Sequence, residues 1–123
     1  MNKLEFATQM QARTKKFAVQ IIKLFGKLPK TDEARVLGRQ LLRSGTSTAA
    51  NYRAVCRAKS VADFISKLGT VVEEADESLL WLELMEEAGV CPCAQLASLK
   101  SESDELVRIL QTSLSTAKRN AGH

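Results

Sequence analysis

The stretch LLRSGTSTAANYRAVCRAK, residues 41–59, decides the fold. Its centre, Gly45 to Thr48, has the composition of a loop, yet no proline interrupts it. Leu37, Leu41, Gly45, Thr48, Tyr52 and Val55 continue a three- and four-residue spacing straight through it, as one face of a helix does. The periodicity therefore assigns residues 32–58 to a single helix. Glycine is about 1 kcal/mol poorer than alanine in a helix interior, and serine and threonine are below average, so close packing against a neighbour must compensate. A phosphate-cradling P-loop is excluded, because no lysine follows Gly45-Thr46-Ser47-Thr48 and no strand precedes it.

Three further helices flank this one. Phe17, Ile21, Leu24 and Leu28 form the apolar stripe of a helix over about residues 6–28, stopped near Gly26 to Pro29, with Thr31 or Asp32 capping the next helix. After residue 58, Ser60 and Asp63 make a start resembling a capping box. Val61, Ile65, Leu68, Val72, Ala75, Leu79 and Leu82 then alternate steps of four and three in a helix over 61–88, which Gly89 stops. Leu96, Leu99, Leu106, Leu110 and Leu114 stripe the last helix, 93–118, with Pro92 at its first turn. Short connections force antiparallel neighbours, so the expected fold is all-α, an up-down-up-down four-helix bundle.

The 123 residues, 45% of them hydrophobic, are enough for one domain with a sizeable core, spanning 1–123. Few aromatics and two prolines agree with helices. No run spans a bilayer and the N-terminus lacks the apolar core of a signal peptide, so a cytoplasmic protein with no membrane partner is expected. Three cysteines, an odd number, point to reduced thiols, with Cys56 packing between helices.

The charges are sorted by face. At about 100° per residue, Arg35, Arg39, Arg43, Arg53 and Arg57 fall within roughly an 80° sector opposite their helix's core, provided residues 44–50 are helical. Lys15, Lys16, Lys23, Lys27 and Lys30 form a second basic ridge on the first helix. The third helix is acidic, with Glu73, Asp76, Glu77, Glu83 and Glu87 in roughly a 120° sector, and its LLWLELM segment places Leu80, Trp81 and Leu84 off the core face. Exposed apolar surface of that kind marks an oligomer interface, with Trp81 as its anchor and Glu73, Asp76 and Glu77 beside it. An arginine stripe fits a solvated face, subunit salt bridges, or phosphate contacts that weaken steeply with salt. Aromatic residues are scarce on the basic faces, so any recognition is expected to be backbone-directed.

Chemistry is sparse. The one histidine is His123, which leaves no histidine-based triad or general base. Glu-x-x-His pairs are absent, and Cys91-Pro92-Cys93 lacks the two-residue gap of zinc and redox motifs. No catalytic residue, metal or cofactor is expected.

Arg43, Ser47, Ala50, Asn51, Tyr52, Arg57, Ser60, Asp63, Phe64 and Ile65, followed by VVEEADESLLWLELM, resemble the bacterial 23S rRNA-intervening sequence proteins over roughly residues 10–115. Glu77 matches a glutamate common there, whereas Ala54 and Val55 stand where relatives often carry glutamate and glycine. The resemblance implies a bundle without enzymatic activity that assembles as a homopentamer. It also implies kinship with the accessory variability proteins of diversity-generating retroelements, which act with a reverse transcriptase and bind nucleic acid through a basic surface. The expected function is thus a non-enzymatic oligomer contacting structured RNA or DNA through Arg35, Arg39, Arg43, Arg53, Arg57, Lys15, Lys16, Lys23 and Lys27. The rival is a protein-interaction scaffold whose arginines pair with a neighbouring subunit and bind no nucleic acid.

Overall fold

In a computed structural model that describes residues 1–122, four helices run α1 (Lys3–Lys27), α2 (Asp32–Val55), α3 (Val61–Glu87) and α4 (Gln95–Asn120). No strand occurs among the described residues. Sequential helices pack against each other and α1 meets α4 over a smaller seam, while α1 and α3, like α2 and α4, lie on diagonals. This is the antiparallel four-helix bundle that the periodicity requires.

The boundaries follow from local chemistry. Asn2 accepts from the Glu5 N–H at 2.8 Å and starts α1 three residues before the stripe alone implies. Leu28, in extended geometry before Pro29, ends it, and Thr31 caps α2 by accepting from the Ala34 N–H. Ser60 accepts from the Asp63 N–H at 3.0 Å to open α3. At its other end Gly89, at φ 61, takes the left-handed turn, with Gly89 N–H bonded to Glu86 O and Val90 N–H to Met85 O.

The end of α2 and the start of α4 also differ from the sequence expectation. α2 stops at Val55, not residue 58, as the N–H groups of Arg57 and Ala58 turn to the carbonyls of Ala54 and Val55. Residues 56–59 offer no large apolar side chain to bury, so nothing holds them on the bundle. Likewise α4 begins at Gln95, and Pro92 lies in the connection, where Cys91 is buried instead. Val61, assigned to the core, is the first residue of α3 and is 63% exposed.

The core is built from Phe17, Ile21, Leu24, Leu41, Tyr52, Leu68, Val71, Leu82, Met85 and the leucines of α4. The region that resembled a loop sits at its centre. Gly45 faces α1 so closely that a Cβ there would overlap Ile21 Cδ1. Thr48 Oγ1 donates to Ser44 O, and Ser44 Oγ meets Ser78 Oγ of α3 at 2.8 Å. Ser103 Oγ of α4 donates to Ala75 O at 3.2 Å. The buried hydroxyls are thus satisfied, which removes the desolvation cost that would otherwise oppose small polar residues in a core.

Candidate nucleic-acid interface

Residues 1–60 carry thirteen basic and three acidic side chains, whereas residues 61–123 carry five and eleven. Because the bundle pairs α1 with α2 and α3 with α4, this division along the chain becomes a division in space. A basic layer lies beside an acidic one.

The basic ridges stand out from the layer. Lys15, Lys16, Lys23 and Lys27 on α1 are exposed, as are Arg35, Arg39, Arg43 and Arg53 on the continuous α2. Ion pairs within 4.0 Å among the described residues involve Arg13, Arg43, Lys67, Lys100 and Arg108. The remaining cations of the two ridges have no carboxylate partner among the described residues. Between the ridges Ala12, Ala49 and Ala50 floor a shallow groove, with Lys15 and Arg53 at its edges. The groove was missed in the sequence, although three alanines near two cations were its available signal.

Two of the five arginines depart from the stripe. Arg57 lies beyond the end of α2, in the turn towards α3, and is not in helical register with the others. Arg43 does not face away from its own bundle: it pairs with Glu77 and, at 3.4 Å, with Glu74 of α3. Its reach follows from the Ser44–Ser78 contact, which places α3 beside that edge of α2. Glu77 therefore has a partner within the chain, not one that awaits a second subunit.

On the outer face of α3, Leu80 and Leu84 are 46% and 39% exposed, among the exposed Glu73 and Asp76. Trp81 differs from the expected protruding anchor, since it is half-buried and packs on the core. Its indole N–H is buried with no acceptor among the described residues. Apolar side chains are also exposed on the basic layer, at Val19 and Ile22 of α1.

The thiols are free. Cys56 is exposed at the end of α2, contrary to its expected packing role, and the buried one is Cys91, whose thiol burial pushes up to about 11. No cluster of three or more metal-ligating side chains occurs among the described residues, and His123 lies outside them. No helix described is long and apolar enough to cross a membrane.

Comparison with known proteins agrees with this architecture. Residues 7–112 match the family model of the 23S rRNA-intervening sequence protein. A crystal structure of a protein of unknown function from the S23 ribosomal protein family of Bacteroides thetaiotaomicron superposes with a TM-score of 0.80 at 34% identity, covering 89% of this chain and 97% of that one. No curated protein matches the chain. With the family model extending over most of its length, the chain belongs to the 23S rRNA-intervening sequence protein family.

Proposed function

We propose that the chain is a non-enzymatic bundle that assembles with copies of itself and binds structured RNA or DNA through its basic α1–α2 layer. The observation that carries the reading is the charge division: between Glu5 and Asp32, and again from Ala34 to Ala62, there is no acidic residue. Such a surface attracts a polyanion and releases its counterions on contact. The groove between Lys15 and Arg53, floored by alanines, has room for a phosphate backbone to approach the helices. Tyr52 is buried, so base stacking contributes little and contacts to the backbone dominate.

The test is a variant in which Lys15, Lys23, Arg39 and Arg53 are all changed to glutamine, titrated with a mixed nucleic-acid pool at low salt. Binding should weaken at least about tenfold, and the dependence of log affinity on log salt should flatten by about 0.9 for each phosphate contact removed. Unchanged affinity overturns the α1–α2 flank as the contact surface.

A scaffold role is favoured by one separate observation: exposed leucines on the acidic α3 and exposed Val19 and Ile22 on the basic α1 give two complementary faces. In that reading the cations are used between subunits. Resemblance extends the proposal to a ring of five copies and to a reverse transcriptase as a protein partner.

A further inference from the structure

Charge is also uneven along the bundle axis. The Ser103–Ala75 hydrogen bond fixes the antiparallel register of α3 and α4, so that counting equal steps away from it brings Val61 level with Ala117. The α2–α3 connection and the last turn of α4 therefore share one end of the bundle, with the first turn of α1 beside them. Arg57, Lys59, Lys118, Arg119 and Lys3 all stand there, exposed and without a carboxylate partner among the described residues.

The acids at this end do little to offset them. Asp63 accepts the Lys59 backbone N–H at 3.0 Å and the Lys67 ammonium at 2.9 Å, so its charge is already engaged. Among the described residues Glu5 is the remaining one. At the opposite end Lys27, Lys30 and Arg35 are interspersed with Asp32, Glu33 and Glu87, and Lys100 is tied to Glu86. Lys118 and Arg119 have a local role as complements to the negative end of the α4 dipole. That role does not extend to Arg57 and Lys59, which lie outside any helix.

We infer that this end of the bundle is the principal seat of the nucleic-acid backbone, gripped by Arg57 and Lys59 of the α2–α3 connection with Lys118 and Arg119 of α4. This rests on the reading that the chain binds nucleic acid, and moves the main contact from the flank to the end. The flank is a line along a cylinder whose Arg43 is neutralised by Glu74 and Glu77. The end brings together, from separate segments of the chain, cations that have no carboxylate partner among the described residues, and their fields add. A lipid surface fits less well, because the exposed Leu4 and Val61 at this end sit on the diagonal helices α1 and α3 and form no continuous apolar face.

The experiment compares two variants of equal charge change in the full chain. One carries Arg57→Gln, Lys59→Gln, Lys118→Gln and Arg119→Gln; the other carries Lys15→Gln, Lys23→Gln, Arg39→Gln and Arg53→Gln. All eight positions are exposed, and circular dichroism and melting curves check that each variant folds. Fluorescence anisotropy with a structured RNA and a duplex DNA is then followed against salt. The end variant should lose at least about tenfold in affinity, more than the flank variant, with a salt slope lower by about 3 to 4. Loss confined to the flank variant overturns this inference and leaves the broader reading standing. Equal losses overturn it too, since net charge alone then explains them. If the unaltered chain binds neither probe, both readings fall. Binding to phosphatidylserine vesicles that the end variant loses, with nucleic-acid affinity unchanged, overturns it in favour of lipid.

Discussion

Gly45 shows how one residue position can settle a fold. Its place in the apolar spacing was legible in the sequence, because periodicity depends on which face a residue occupies and not on its size. What the sequence left open was the neighbour, Ile21, whose Cδ1 fills the space a Cβ would take. Gly45→Leu should therefore destabilise the protein by about 1–3 kcal/mol, the usual cost of overpacking, despite leucine's better helix propensity. Gly69, within α3, has nothing within 4 Å of a built Cβ. There Gly69→Ala should stabilise by up to about 1 kcal/mol through propensity and loss of unfolded-state entropy. Urea denaturation midpoints of the two variants, moving in opposite directions, check the pair. If Gly45→Leu were stabilising, the close α1–α2 approach would be wrong.

At the scale of the element, helix starts were more legible than some helix ends. Thr31 and Ser60 cap α2 and α3 as their residue types imply, since a side-chain oxygen needs only the next turn's N–H groups. The end of α2 was misplaced because whether residues 56–58 stay helical depends on what they could bury, a tertiary question. Arg57 was misassigned with it. Replacing Ser60 with alanine should cost about 1 kcal/mol, read by denaturation. Asp63 adds a pH dependence at the same helix start. Its carboxyl is held below its ordinary range by the Lys59 backbone N–H first, then by the Lys67 ammonium. A carboxyl depressed in the folded state stabilises fully above its unfolded pKa, and that contribution is lost as pH falls through the folded value. The protection of amides in the first turn of α3, with the intrinsic slowing of exchange in acid divided out, should therefore fall on acidification. Asp63→Asn should show lower protection already at neutral pH and little further change in protection. Identical exchange profiles for the two proteins would exclude the role.

For the whole molecule, the charge sorting by helix was legible, but its pairing was not. Arg43 meets Glu74 and Glu77 only because α2 and α3 pack in the register set by Ser44 and Ser78, and the basic end exists only because α4 returns beside the α2–α3 connection. The same geometry leaves two unlike faces. Leu80 and Leu84 lie among carboxylates on α3, while Val19 and Ile22 lie among lysines on α1. Each has an apolar centre and a charged rim, and the rims are of opposite sign, so they fit each other better than either fits itself. A contact between unlike faces is heterologous: it repeats from copy to copy until a ring closes or a filament grows. Changing Leu80 and Leu84 together to glutamate should leave a folded chain that sediments as a monomer at concentrations where the unaltered protein is larger, because four apolar anchors are reduced to two while like charge is added to the acidic rim. Salt alone should weaken assembly less than this double change, since it screens the rims and spares the apolar centres. An unaltered chain that is monomeric at micromolar concentration would remove the second copy as the partner of α3 and leave its exposed leucines to a different protein.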